Sequence, residues 1–187
     1  MNVYDFDGTI YHGDSTIDFY LFCIKKHKKI IINIPLQIGA FILYKCKIIG
    51  KLQFKQNFFK FLKKVADVDI TVQEFWNIYE SKIYTWYLLS QRENDVIVSA
   101  SPEFLLREVF QRKKISNYIC TKVDKKTGKF HSMNCYGEEK VRRFLKEYSV
   151  QSIDKFYSDS LSDLPMAHLA KEAILIDKNG KQHKWKI

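Results

Sequence analysis

Met1-Asn2-Val3-Tyr4-Asp5-Phe6-Asp7-Gly8-Thr9 places two aspartates two residues apart at the end of a short apolar run, followed by Gly-Thr. In an extended chain, residues two apart point the same way. Where a strand over 2–6 ends and the chain turns at Gly8, both carboxylates therefore face one pocket. One carboxylate there can attack while the other trades protons. Acidic residues are common at strand ends, so the pair gains its meaning from three segments later in the chain.

Working outward, residues 15–28 predict a helix with Asp14 or Ser15 as N-cap and Ile17, Tyr20, Leu21 and Ile24 at helical spacing. The apolar run Ile30 to Tyr44 is broken by Asn33, Pro35, Gln37 and Gly39. It is shorter than the ~20 apolar residues a bilayer crossing needs. Residues 51–66 predict an amphipathic helix. Thr71 starts another through a capping box with Glu74, running towards Leu89. The pattern then changes. Asp95 to Val98 reads as a buried strand ending at Ser99, and Pro102 as the first position of a helix. Ile119 to Val123 and Lys129 to Met133 predict a hairpin. Gly137 opens a helix through about Tyr148. Lys155 to Tyr157 predicts a strand ending at Ser158-Asp159, Leu164 to Lys171 a helix, and Ala173 to Ile176 a last strand before an Asn179-Gly180 turn. Strands alternating with helices predict an α/β fold, a doubly wound parallel sheet. In such sheets ligands sit at the carboxyl ends of the strands, where Asp5, Ser99 and Asp159 fall. The helical stretch interrupts the alternation. The expected organisation is a catalytic core of residues 1–14 and 91–187 with an inserted helical cap of residues 15–90.

The chain has 187 residues and a formal net charge of +10. From Lys25 to Lys64 there are eleven lysines and no Asp or Glu, so the remainder is close to neutral. A basic excess this localised points to an anionic partner, or to a plain solvated lysine face. Cys23, Cys46, Cys120 and Cys135 show no metal-ligand spacing and read as reduced thiols. The sequence starts directly in its first predicted strand, so no signal peptide and a cytoplasmic protein are expected.

Four segments carry chemistry: Asp5-Phe6-Asp7-Gly8-Thr9, Val96 to Ser101, Gly137-Glu138-Glu139-Lys140, and Tyr157-Ser158-Asp159-Ser160-Leu161-Ser162-Asp163-Leu164-Pro165. A carboxylate nucleophile can form an aspartyl phosphate and split one difficult step into two. A second carboxylate can protonate the leaving alcohol and then activate water. Hydroxyl, lysine and backbone N–H groups can hold phosphoryl oxygens. Several carboxylates suit Mg²⁺, a hard cation that prefers oxygen.

In order and spacing these segments resemble the haloacid dehalogenase superfamily of phosphatases, in its phosphoserine-phosphatase-like branch. The resemblance covers nearly the whole chain, including the hairpin before Lys140 and Trp185. It implies Asp5 as nucleophile and Asp7 as general acid/base. Ser99 and Lys140 would hold the phosphoryl group, with Ser101 competing for the role of Ser99. Gly8 and Thr9 would shape the phosphate loop, and Ala100 would join the substrate-binding residues. Mg²⁺ would be bound by Asp5, the Asp7 carbonyl and Asp159, with Asp163 beside or on the metal. Asp14 suits either substrate contact or helix capping, and Asp163 also suits an N-cap. His12 reads as a loop residue, and the phenylalanines of 51–66 as cap core.

For the substrate, the lysine-rich flank beside an apolar aromatic segment suits an anionic membrane interface. Asp14, the Pro-containing apolar segment and Tyr157 to Ser160 with Pro165 are also similar to bacterial phosphatidylglycerophosphatases of the C type. The expectation is a phosphorylated small molecule or lipid, with residues 25–64 touching the inner face of the membrane. Ile30–Tyr44 as an ordinary buried helix is the alternative. Phosphoserine phosphatases usually place Glu where Asp14 stands. A basic membrane-binding module without catalysis would not need intact Asp5, Asp7, Lys140 and Asp159. No nucleic-acid motif is present, so no nucleic-acid partner is expected.

Overall fold

A computed structural model describes residues 1–148 and 153–186. Among these residues six strands, β1 (Asn2–Tyr4), β2 (Val96–Pro102), β3 (Tyr118–Thr121), β4 (Ile153–Ser158), β5 (Ala170–Ile176) and β6 (Gln182–Lys184), form one sheet in the order β3-β2-β1-β4-β5-β6. All neighbours are parallel except β5 and β6. Period-two alternation assigns the two faces. Val3, Val96, Val98 and Phe156 join one buried cluster, and Tyr4, Ile97 and Tyr157 the other. Eight helices among the described residues, α1 (Ser15–Lys26), α2 (Ile34–Lys45), α3 (Lys51–Phe58), α4 (Val68–Tyr79), α5 (Thr85–Ser90), α6 (Glu103–Arg112), α7 (Glu138–Glu147) and α8 (Leu164–Ala167), fill the connections. α7 and α8 cover the first face through Phe144, Met166 and Ala167, and Trp185 packs there too. α1, α4, α5 and α6 cover the second through Phe19, Phe75, Trp76, Tyr87, Leu105 and Phe110. With helices on both faces of a mostly parallel sheet, the fold is the expected doubly wound, Rossmann-like α/β architecture.

The chain builds β1, β2 and β3 outward on one side, then returns past β1 to build β4 and β5 on the other. The crevice between β1 and β4 is the switch point where such sheets bind ligands. Val3 is registered with Val96 and with Phe156, so the carboxyl ends of β1, β2 and β4 open at one edge of the sheet.

Several boundaries differ from the sequence expectations. β1 stops at Tyr4 rather than Phe6, although Asp5 N–H still donates to Tyr157 O at 2.9 Å. β2 runs through Ser99 to Pro102, with a register shift between Val98 and Pro102, so Pro102 pairs with Thr121 and precedes α6 instead of entering it. The helix expected over 51–66 stops at Phe58 and tightens into a 3₁₀ turn, Phe59–Lys64. α4 starts at Val68 because the Asp67 carboxylate caps Ile70 N–H, while Thr71 Oγ1 turns back to Asp67 O and the expected capping box does not form. Its end at Tyr79 is set by a 3₁₀ turn, Glu80–Lys82, before the separate α5. The expected hairpin is reduced to a single antiparallel bridge, Val123 to Phe130, around a turn in which the Asp124 carboxylate accepts from Lys126 and Thr127 N–H. The helix expected over 164–171 ends at Ala167, since Ala170 already pairs with Ile153 in the sheet. The Asn179-Gly180 turn closes the unanticipated β5–β6 hairpin.

Candidate active site

Beyond β1 the chain wraps tightly. Thr9, Ile10 and Tyr11 N–H all donate to Phe6 O, and Gly8 N–H donates to Tyr11 O and Gly13 O. Gly8 has φ +72°, in the left-handed region that glycine enters without steric cost. A methyl on Gly8 would also lie 2.1 Å from Asp159 Oδ2, so the Asp159 carboxylate rests on the bare Cα. Thr9 Oγ1 accepts Asp159 N–H at 3.0 Å, which fixes the end of β4 to this turn. His12 N–H to Lys82 O and Tyr84 N–H to Ile10 O clamp the turn to the entry of α5.

Lys140 enters from the first turn of α7, behind Gly137, whose φ of +57° again needs glycine. Its side chain is 2% exposed. Nζ donates to Asp5 Oδ1 and to Asp163 Oδ2, each at 2.7 Å. Asp163 Oδ2 also accepts the Ser158 hydroxyl at 2.8 Å, while its buried Oδ1 has no partner among the described residues. The second aspartate sits in a different setting. Asp7 Oδ1 accepts Ser15 N–H at 2.6 Å, and Oδ2 accepts the Ser101 hydroxyl. Asp14 accepts Ile17 N–H and so caps α1, and it also faces the cavity.

Electrostatics follow from this packing. Burial pushes Asp5 up to about 7, against the pull of Lys140, with Asp163 adding repulsion. Burial and the nearby Asp14 push Asp7 up to about 6, against its bonds from Ser101 and Ser15. Burial also raises Asp159, with Asp163 contributing. Lys140 is shifted upward because Asp5 and Asp163 together outweigh its burial. Negative charge at the site therefore exceeds what its buried lysine balances.

A cavity of about 1030 Å³ opens over these groups, with Asp5, Asp7, Gly8, Asp14, Ala100, Ser101, Lys140, Asp159 and Asp163 in its wall. Two predicted residues are not in that wall. Ser99 is fully buried and its hydroxyl accepts Ser101 N–H at 3.1 Å, because β2 continues past it. Thr9 lies beneath the turn, holding Asp159. Lys55 was not anticipated. From α3 its Nζ reaches Asn134 Oδ1 at 3.0 Å and Ala100 O at 3.4 Å, and burial together with Lys51 lowers it to about 8. Asn134 is held in turn by the Thr121 hydroxyl. The signal was present as spacing: Lys51, Phe54, Lys55 and Phe58 fall at i, i+3, i+4, i+7 and all line the cavity. His12 lies at the cavity edge beside Tyr84.

The donor chemistry fits a hard divalent cation. Asp5 and Asp159 offer carboxylates, Asp163 has a buried oxygen without a partner among the described residues, and Gly8 leaves room for the Asp159 carboxylate. Among the described residues no three His, Cys, Asp or Glu side chains gather as a metal cluster. A set made of two carboxylates and one main-chain carbonyl, such as that of Asp7, does not require one.

Residues 3–168 match the family described as haloacid dehalogenase-like hydrolase, and the chain belongs to that family. A search of curated proteins gives no match. Among solved structures, a protein of unknown function from Bordetella pertussis Tohama I superposes with a TM-score of 0.74 at 16% identity, over 94% of this chain and 89% of that one. A phosphoserine phosphohydrolase-like protein from Francisella tularensis gives 0.57 at 16% identity, over 94% and 86%. A phosphoserine phosphatase in its apo form gives 0.54 at 13% identity, over 94% and 84%. At these identities the structures establish the shared fold alone.

Proposed function

We propose that the chain is a Mg²⁺-dependent phosphatase that hydrolyses a phosphomonoester through an aspartyl phosphate on Asp5. The observation that carries this is the position of Lys140 Nζ, 2.7 Å from both Asp5 Oδ1 and Asp163 Oδ2. It orients Asp5 and leaves Oδ2 without a hydrogen bond among the described residues. Oδ2 attacks phosphorus while the ester oxygen departs. Asp7, raised by burial and by Asp14 and with no cationic partner among the described residues, takes up a proton more readily than an ordinary aspartate and delivers it to that oxygen. Water then gives a proton back to Asp7, attacks the acyl phosphate and releases phosphate, restoring Asp5. Lys140 and the Ser101 hydroxyl stabilise the phosphoryl oxygens, with the buried Ser99 supporting Ser101 from beneath. Asp5, the Asp7 carbonyl and Asp159 would hold Mg²⁺, and Asp163 would position Lys140 beside it. The metal, when bound, supplies positive charge that offsets repulsion between carboxylate and phosphate. Residues 15–90 would be the cap inserted into the core of residues 1–14 and 91–187, with α1, α4 and α5 also covering a face of the sheet.

The favoured substrate is a lipid phosphate, with phosphatidylglycerophosphate the leading candidate, as for phosphatidylglycerophosphatase C. Ile17, Phe54, Phe58 and Phe59 add apolar lining to the cavity that holds the carboxylates, and Lys51 and Lys55 add positive charge. On the same reading, residues 25–64 bring the enzyme to the inner face of an anionic membrane. Phosphoserine is the second candidate, from the named relatives of the same fold. The test is hydrolysis of p-nitrophenyl phosphate with Mg²⁺ and with EDTA, then of phosphoserine, phosphatidylglycerophosphate, lysophosphatidate and sugar phosphates. Activity that survives both EDTA and Asp5→Asn overturns the proposal.

A further inference from the structure

α2 is inside out. Its one glutamine, Gln37, is buried, accepting the Tyr20 hydroxyl and donating to Phe58 O at 2.9 Å, and Ala40 is its only other buried residue. Its large apolar side chains point to solvent instead. Ile38 is 55% exposed and Ile42 54%, with Leu36, Phe41 and Leu43 beside them. The turns at either end continue the surface with Ile32, 75% exposed, and Ile48, 68% exposed. A helix packed only on its own protein would place leucine and isoleucine inward and glutamine outward. Contiguous exposed apolar surface of this kind marks an interaction site.

Charge decides the occupant. Lys28, Lys29, Lys45 and Lys47 flank the apolar face and are exposed, and no acidic residue occurs from 25 to 64. Among the described residues, Lys26 alone of the lysines in that stretch pairs with a carboxylate, Glu74. We infer that the outer face of α2, with Ile32 and Ile48, seats in the headgroup boundary of an anionic bilayer while the flanking lysines meet lipid phosphates. No helix among the described residues is long and apolar enough to cross a membrane. At about 1.5 Å per residue, twelve residues suit lying along the interface.

The face also leads to the site. Phe41 and Tyr44 pack on Phe54, with ring centroids 5.9 and 5.2 Å apart, and Phe54 lines the same cavity as Asp5. An amphiphile can therefore place its phosphate at Asp5 while its apolar part stays against Phe54 and Phe58. This deepens the lipid-phosphate reading and rests on it for the cavity's ligand, though not for the docking face.

The test is co-sedimentation of the full chain with vesicles of phosphatidylcholine alone, and of phosphatidylcholine mixed with phosphatidylglycerol, at ~50 and ~500 mM salt. Binding is expected to the anionic vesicles and to weaken at the higher salt. I32S/I38S/I42S should bind at least about tenfold more weakly. Its unfolding midpoint and p-nitrophenyl phosphate turnover should not change, because all three positions are exposed and outside the cavity wall. Wild-type protein that stays in the supernatant overturns the inference, as does equal binding by the variant. A wild-type dimer that becomes monomeric in the variant, with no vesicle binding, assigns the face to a second copy and also overturns it. Vesicle binding without p-nitrophenyl phosphate turnover leaves the docking face standing and refutes the phosphatase reading alone.

Discussion

The Asp159 carboxylate occupies the space that a side chain on Gly8 would need, with Oδ2 2.1 Å from the ideal Cβ position. The end of β4 and the turn after β1 are therefore mutually exclusive with any residue but glycine between them. Gly8→Ala should displace Asp159 and strain a backbone at φ +72°, costing about 1–3 kcal/mol. The expected readout is a lower unfolding midpoint together with much weaker Mg²⁺ dependence of turnover. A variant with wild-type stability and activity would contradict this geometry.

Asp5→Asn removes the nucleophile but keeps the shape of the side chain. Lys140 retains Asp163 as its ionic partner at 2.7 Å, so the fold should persist. Turnover should fall by roughly a thousandfold or more, in line with losing a group that acts only in the chemical steps. Circular dichroism and Mg²⁺-dependent phosphate release from wild type and variant check both halves.

With divalent metal chelated, stability should decline as pH rises from about 4 to about 7. Asp5 and Asp7 are pushed up to about 7 and about 6 by burial, from an ordinary aspartate value of about 4. Between those limits the folded state holds protons that the unfolded state has released. Raising pH therefore favours unfolding, and the contribution is complete above about 7. Thermal midpoints in EDTA across this range should fall, and Asp5→Asn should flatten the profile.

Lys55→Met should leave the fold intact and act on substrate affinity. Lys55 is lowered to about 8 by burial and Lys51, so its charge at the cavity wall is lost above that pH. KM for a phosphorylated substrate should rise above pH 8 in wild type, whereas the variant should show a KM about tenfold higher that does not vary there. Steady-state kinetics from about pH 6.5 to about 9 with p-nitrophenyl phosphate decides it.

How far the sequence could be read depends on the range of the interaction. Asp5, Asp7, Lys140, Asp159 and Asp163 were legible because strand ends and helix starts are set locally and the sheet topology then brings those ends together. Ser99 and Ser101 were harder to separate. The choice between them turns on β2 continuing to Pro102, a consequence of pairing with Thr121 that local pattern does not encode. Lys55 was hidden for a similar reason, since its partners Ala100 and Asn134 are 45 and 79 residues away. The inward placement of Gln37 likewise depends on Tyr20 and Phe58, and an apolar run alone cannot show which of its residues face out.

Trp76 has a further consequence. Its Nε1–H donates to Leu105 O at 2.7 Å inside the cluster that also holds Phe6, Phe19, Phe75 and Phe110. α4 is thereby nailed to the start of α6, and α1 is glued to both. Neither helix can swing away as a lid without tearing open the aromatic interior. α2 buries only Gln37 and Ala40 and leans on α3 through Phe41 and Tyr44 against Phe54, and α3, which buries no residue, is tied to the core through Lys55 on Asn134 and Ala100. The helical layer of α1, α4 and α6 thus serves as the rigid mount on which the arm of α2 and α3 is carried.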